Sequence, residues 1–254
     1  MMGVQGKVVI LTGGAGDIAQ VATTNLLVGG ASVLLVDRDG DRLAAFCGGL
    51  DSPAVAYCVA DVTSETDTAA YVKAALDKFG GIDVLLANAG IEGQVAPVAD
   101  YDTEVFRQVL EVNVTGPFLG IKAVYPHMAA NGGGSIVITS SIAGLRGSSG
   151  LAAYNASKHA VIGLMRSVAA EGGPHNIRVN TINPSPVEGR MIRSLEEGNM
   201  PGAPDEVREL LEASIPLGRY AAPTDVANLM LFLAGEESSF LSGSVYSVDG
   251  GMNA

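Results

Sequence analysis

Cysteine is scarce in this chain: Cys47 and Cys58 are the only two among 254 residues, and neither belongs to a C-x-x-C pair or a Cys/His cluster. That usage excludes a dense disulfide framework and the usual zinc ligand sets, and it suits a reducing interior. Histidine is equally sparse. His127, His159 and His175 lie far apart, so no metal is expected. Basic residues are in deficit, 15 Lys and Arg against 27 Asp and Glu, which leaves a net charge of -12. A field of that sign repels phosphate backbones and anionic bilayers, so neither nucleic acid nor a membrane is an expected partner. Long apolar runs are missing too. Val8 to Leu11, ahead of Thr12-Gly13-Gly14, is too short for the core of a secretory signal, and no run nears the about 18 residues that span a bilayer. The expected location is cytoplasmic. No Gly-x-Ser-x-Gly elbow occurs, and Gly147-Ser148-Ser149-Gly150 has the wrong spacing for one, which sets a serine hydrolase aside.

What is abundant points to a large buried core. Apolar residues make up 48% of the chain and charged residues 17%, while 33 glycines imply many tight turns or close backbone approaches. Short apolar, β-branched runs at 7–12, 32–36, 54–59, 84–87, 135–139, 178–182 and 245–248 alternate with longer segments of helical period such as 18–28, 65–79, 102–130 and 152–170. The runs lack polar alternation, so both faces of their sheet must be covered, as in a parallel sheet with helical crossovers. The expectation is an α/β fold: a single doubly wound domain over residues 1–254, with a mostly parallel seven-stranded sheet and helices on both faces. One stretch breaks the rhythm. Pro184 to Pro216 carries five prolines, three glycines and no strand signal, which predicts an excursion of short helices covering a site over about residues 185–215.

The segment Thr12-Gly13-Gly14-Ala15-Gly16-Asp17-Ile18-Ala19 joins the first strand directly to a helical pattern. Glycine in such a turn lets a diphosphate approach the backbone, and the helix start offers it unpaired N–H groups. Taken alone, the turn also suits an ordinary tight strand-to-helix connection. Asp37, closing the second strand, lies near the usual offset for a carboxylate that binds ribose hydroxyls, and the two together favour a Rossmann-like dinucleotide site. A carboxylate there repels a 2′-phosphate, so NAD is expected rather than NADP, with Arg38 the one hint in the other direction. Asp61-Val62, after the third strand, suits either an adenine contact or an N-cap-like acid before the next helix.

Tyr154 and Lys158 stand four apart in a helical stretch and so share a face. Tyrosine has a reference pKa of about 10; a nearby ammonium stabilises the phenolate and lowers that value, and an oxidised nicotinamide adds positive charge. Such a phenol can take the proton of an alcohol while hydride leaves the same carbon, or return it to a ketone. Ser141, just past the strand ending at Thr139, is placed to hydrogen-bond the substrate oxygen. On its own, Tyr-x-x-x-Lys reads as an ordinary surface pair; behind a dinucleotide turn, the catalytic reading prevails.

In this order the landmarks resemble the classical short-chain dehydrogenase/reductase family over essentially the whole chain. They are the Thr12-Gly13 turn, Asp61, Asn88-Ala89-Gly90, Asn113, Ser140-Ser141, Tyr154-Asn155-Ala156-Ser157-Lys158, Asn183-Pro184 and Val248-Asp249-Gly250-Gly251. The resemblance implies a catalytic tetrad of Asn113, Ser141, Tyr154 and Lys158. In it Tyr154 is the acid/base, Ser141 orients substrate, Lys158 also binds the nicotinamide ribose, and Asn113 holds a relay water. The cofactor surface would comprise Gly13, Gly16, Asp17, Ile18, Asp37, Asp61, Val62, Asn88, Ala89, Gly90, Tyr154, Lys158, Pro184 and Val187. A homotetramer built through the long helices flanking the Ser141 strand is implied as well. The implied activity is NAD-dependent interconversion of a secondary alcohol, including cyclic alcohols and diols, and its ketone. A 3-oxoacyl-type carbonyl reductase and a dinucleotide-binding homologue impaired in catalysis are the alternatives.

Three departures from the family pattern bear on the cofactor. Asp17 and Ala19 stand where the family has the second and third glycines of its turn, Ser185 where it usually has glycine, and Gly189 where it usually has threonine. Asp17 brings a negative side chain to the diphosphate approach. Gly189 lacks a hydroxyl for the nicotinamide carboxamide. Substrate is expected to meet Gln94, Ile142, Leu151, Ser185 and Met191, with Val95, Val187 and Ile192 nearby, a mostly apolar set that suits an uncharged molecule. Arg146, Arg190 and Arg193, in the same segments, are the competing signal for an acidic one.

Overall fold

The apolar runs become strands, and those inside the sheet are covered on both faces. In the computed structural model, which describes residues 3–254, these are β1 (Val8–Thr12), β2 (Ser32–Asp37), β3 (Val55–Val59), β4 (Val84–Ala87), β5 (Gly134–Thr139), β6 (Ile177–Pro184) and β7 (Val245–Val248). They form one sheet of order β3-β2-β1-β4-β5-β6-β7. Every pairing is parallel, a stricter arrangement than the mostly parallel sheet expected. The helices are α1 (Asp17–Val28), α2 (Gly40–Leu50), α3 (Glu65–Phe79), α4 (Thr103–Leu110), α5 (Gly116–Ala130), α6 (Ala152–Gly172), α7 (Arg190–Asn199), α8 (Pro204–Ala213) and α9 (Pro223–Ala234). None of the described helices is long and apolar enough to cross a membrane.

Successive strand residues point to opposite faces, and this splits the core into two layers. Val9, Leu11, Val33, Leu35 and Val137 pack with Ala22 and Leu26 of α1, Leu43 of α2 and Met230 of α9. Ile10, Leu34, Leu85, Ile136 and Ile138 pack with Tyr71 of α3, Val124 of α5 and Met165 of α6. Because β1 lies between β2 and β4, the winding reverses there, and a crevice opens beyond the carboxyl ends of these strands.

Two details position what lies in that crevice. The stretch 103–130 is helical throughout but not uniformly α: α4 ends at Leu110, a π turn spans Glu111–Thr115, and α5 follows without a break. The wider turn directs Asn113 inward, where it is 1% exposed. The excursion after β6 contains α7 and α8, and its base is tied down where Val187 bridges Ala221 and the amides of Glu188 and Ala221 donate to Ala221 and Pro186 carbonyls, each at 2.9 Å. It has a small apolar core of Ile192, Ile215 and Tyr220. Beside that core the buried Glu196 carboxylate accepts from Tyr220 Oη at 2.8 Å and Arg193 Nη1 at 3.0 Å.

The layered packing makes Ile136, fully buried in β5, a test of the sheet's contribution to stability. Ile136→Ala is expected to cost about 2–5 kcal/mol in urea unfolding with an unchanged slope. A loss within experimental error would contradict the described layer.

Candidate active-site cleft

The crevice is a cleft of about 550 Å³, running from the β1 turn to the α7–α8 excursion. At its first end the turn after β1 is pressed against the turn after β4. Gly13 has φ +71°, and a side chain there would begin 2.9 Å from Ala89 Cα, so both its conformation and its contacts demand glycine. Thr12 Oγ1 accepts from the amides of Asn88 and Ala89, both at 3.1 Å, and Thr139 Oγ1 donates to Asn88 Oδ1 at 3.1 Å. The carboxyl ends of β1, β4 and β5 are thus laced together by side chains. Helix α1 begins at Asp17 with no side-chain cap from Gly16, leaving its first-turn amides available to an anion.

Gly13, Gly16, Asp17, Ile18, Asp37, Asp61, Val62, Asn88, Ala89 and Gly90 all line this end, so the sequence-predicted cradle comes together. Asp37 stands at the end of β2, where its Oδ2 accepts from the Ala15 amide at 3.0 Å and its Oδ1 from the Asp39 amide at 3.1 Å. Ser64, not Asp61, is the N-cap of α3, and Asp61 shapes the turn before it. Its Oδ1 accepts from Thr63 N at 2.9 Å and Thr63 Oγ1 at 2.8 Å, as a turn-forming acid does, while the residue still faces the cleft. The Thr63 backbone bond is the main reason its pKa lies below the usual value, with Arg38 assisting. The space left by glycine at Gly13 and the open helix start fit a dinucleotide diphosphate, and the Asp37 carboxylate fits a ribose.

At the other end, Ser141, Tyr154 and Lys158 meet. Tyr154 is 9% exposed and Lys158 4%. Lys158 Nζ donates to the Thr139 carbonyl at 2.8 Å and lies 5.4 Å from the centre of the Tyr154 ring. Ser141 Oγ donates to the Pro184 carbonyl at 3.4 Å, and its own carbonyl accepts from Asn183 Nδ2 at 2.8 Å. Asn113 lies behind the cleft wall. Its Oδ1 accepts from Ile91 N at 2.8 Å, while its Nδ2 donates to Ile91 O at 2.9 Å and to Ser157 Oγ at 3.0 Å. A side chain at Gly90 would begin 3.3 Å from Asn113 Oδ1 and 3.5 Å from Lys158 Nζ. The two polar groups therefore approach each other across a residue that has no side chain.

The charge balance corrects one expectation. Lys158 does not make the phenol acidic in the protein alone: burial pushes Tyr154 up to about 12, opposed by a hydrogen bond to Ser141 and reinforced by Glu92. Burial likewise brings Lys158 down to about 8. Desolvation dominates for both groups, with the ammonium 5.4 Å from the centre of the ring.

Ile142, Leu151, Ser185, Met191, Pro184 and Val187 line the cleft as expected, whereas Gln94 does not. Its neighbour Val95, in the connection after β4, packs toward Gly150 and Gly198. Sequence reasoning missed Glu92, a nearly buried carboxylate that accepts from Arg190 Nη1 at 3.0 Å, and Ser157, which holds Asn113 and donates to the Tyr154 carbonyl at 2.7 Å. It missed Leu195, Leu211 and Met252 as apolar lining. The NAGIEG run held Glu92 in plain sight, but nothing local gave it a partner. Of the three arginines, Arg190 pairs with Glu92, and Arg193 with Glu196 and Asp205. Arg146 faces the cleft with the Met252 carbonyl as its hydrogen-bond acceptor, at 3.3 Å.

Residues 13–253 match the family model described as enoyl-(acyl carrier protein) reductase. The chain is 38% identical to trans-4-hydroxycyclohexanecarboxylate dehydrogenase of Sinomonas cyclohexanicum, over 98% of this chain and 93% of that one. Among solved structures it resembles levodione reductase, with TM-score 0.94, 33% identity and 97% of each chain covered. It also resembles NAD+-bound xylitol dehydrogenase, with TM-score 0.91, 32% identity, and 97% and 99% of the two chains covered.

Lys158 provides a test of the site's electrostatics. Its pKa is lower in the folded chain than in the unfolded one, so between about pH 8 and 10.5 the unfolded chain binds more protons and this group adds stability as pH rises. Lys158→Met, which removes the buried cation and keeps its length, is expected to match or exceed the parent's urea midpoint at neutral pH and to gain less than the parent on moving to mildly alkaline pH. A much lower neutral midpoint with an undiminished alkaline gain would contradict this.

Proposed function

Because the chain belongs to the classical short-chain dehydrogenase/reductase family, we propose that it is an NAD-dependent oxidoreductase interconverting a secondary alcohol, cyclic by preference, and its ketone. The observation that carries this is the convergence of Ser141, Tyr154 and Lys158 in one cleft with the dinucleotide cradle. Asp37 at the end of β2 supports NAD over NADP, since a carboxylate accepts from ribose hydroxyls and repels a 2′-phosphate. The NAD+ held by the xylitol dehydrogenase relative agrees. Apolar lining from Ile142, Leu151, Met191, Leu195 and Met252 supports an alicyclic substrate, as do the relatives that act on cyclohexane derivatives.

Bound NAD+ would supply the hydride acceptor and a positive charge. The chain's own residues would do the rest. Ser141 Oγ holds the substrate oxygen, Tyr154 Oη takes the hydroxyl proton during oxidation and returns it during reduction, and Lys158 holds the ribose and carries positive charge beneath the phenol. Asn113 and Lys158, which flank Gly90, are the residues that would hold the relay water the family pattern calls for. The α7–α8 excursion would close over the substrate. Phe118, half exposed on α5 beside a groove between α5 and α6, supports a tetramer built through those helices.

One observation favours a second substrate reading, an alicyclic hydroxy acid. Arg190 and Arg193 are neutralised by carboxylates, but Arg146 faces the cleft with a carbonyl as its acceptor, so its charge is available to a substrate carboxylate.

Tyr154→Phe is expected to lower kcat/KM for a cyclic alcohol by about 10²–10⁴-fold; normal turnover would refute the acid/base assignment. On the second reading, Arg146→Met raises KM for a cyclohexanol carboxylate by about tenfold more than for cyclohexanol itself, the usual scale for a charged hydrogen bond. Equal effects on the two substrates would leave the neutral alcohol as the substrate class.

A further inference from the structure

The two family departures at the cofactor end, Asp17 and Gly189, touch one another. A side chain at Gly189 would begin 2.7 Å from Asp17 Oδ2, and Gly189 has φ +145°, a conformation that side-chain-bearing residues rarely adopt. A larger residue at 189 would have to push the Asp17 carboxylate aside as well as adopt that strained backbone. The carboxylate lies beside Gly189, the residue that leads into α7. On its other side, Asp17 Oδ1 lies 3.8 Å from Arg42 Nη2, both side chains being 49% exposed. Asp17, Arg42 and Gly189 all line the cleft.

Asp17 is also the first residue of α1, where no side-chain cap engages the first-turn amides. A carboxylate at that position is favoured by the positive end of the helix. It therefore draws on the same field that a diphosphate would use, and it repels that diphosphate directly. Arg42 offsets the repulsion only in part, because a loose, half-exposed ion pair is weak and easily screened.

We propose that Asp17, seated against Gly189, is an affinity-lowering residue that weakens retention of the dinucleotide and speeds its release. This rests on the nicotinamide-cofactor reading above. It gives the departures a joint meaning: Gly189 lacks the hydroxyl that the family resemblance implies for the cofactor, and Asp17 beside it brings a negative charge to the diphosphate approach. Cofactor release is commonly the slow step in enzymes of this kind of cycle, so such a residue would trade affinity for turnover.

The test is direct titration of the full-length protein with NADH, followed by nicotinamide fluorescence, with release measured by stopped flow. Asp17→Asn keeps the shape against Gly189 and removes the charge. It is expected to lower the Kd for NADH by about tenfold at low ionic strength, mostly through slower release, with the difference shrinking as salt screens the carboxylate. Asp17→Ser, neutral and smaller, should move Kd in the same direction. Gly189→Thr should weaken binding when Asp17 is present and cease to do so when combined with Asp17→Gly. If NADH binds the parent and both neutral variants with the same affinity, the proposal is overturned while the cofactor reading stands. If the parent does not bind NADH at all, the cofactor reading itself fails.

Discussion

Burying an ammonium beside a phenol is costly, and the fold meets that cost with main-chain atoms of β5 and α6. Lys158 Nζ donates to the carbonyl of Thr139, the last residue of β5, while the Lys158 carbonyl accepts from Ser140 Oγ at 2.8 Å. One turn earlier, the Tyr154 carbonyl accepts from Ser157, and Ser157 is held by Asn113 from the π turn. Helix α6 is thereby fixed to the strand end beside it and to the π turn between α4 and α5. Shifting any one of these elements would leave a buried charge without its partner, so the reactive groups and the register of the sheet are a single arrangement.

The consequence is that the free protein keeps its phenol protonated. Burial pushes Tyr154 up to about 12, and Glu92, whose carboxylate is itself nearly buried under Arg190, pushes in the same direction. On the proposed function, proton transfer then waits for the positive charge that an oxidised nicotinamide brings into the cleft. On that reading burial holds the phenol protonated in the free protein, and bound NAD+ would add the positive charge that favours the phenolate. At the other end of the cleft Asp17 pairs loosely with Arg42 at 3.8 Å, and on the same reading the two would set the charge met by the diphosphate.

Much of this was legible in the sequence because it is written in local pattern. Strands buried on both faces lose their polar alternation, which makes the five inner strands legible close to their final bounds, while the partly exposed edge strands β3 and β7 are legible from their valines and tyrosines. The turn after β1, Asp37, and the Tyr154–Lys158 spacing were legible because each role depends on a short separation along the chain. What stayed hidden depends on residues brought together from afar. The π turn within 103–130 is invisible to a period-based reading, since its Asn113 is clamped by Ile91 and Ser157, neither of them nearby in sequence. Gln94 was misplaced because the path of an irregular segment cannot be read from its composition. The sign of the Tyr154 shift was misjudged because four-residue spacing reveals a neighbouring charge but not the depth of burial around it. Asp17 and Gly189 were each noticed as departures, yet their contact exists only in the fold.

The most direct test is to follow the Tyr154 phenol itself, by ζ-13C-tyrosine NMR assigned with the Tyr154→Phe protein, as pH is raised in the free, NAD+-bound and NADH-bound forms. The account predicts a phenol that titrates at about 12 in the free protein, falls below its reference value of about 10 with NAD+, and stays high with NADH. A free phenol titrating at or below its reference value, or one indifferent to the charge on the nicotinamide, would contradict it.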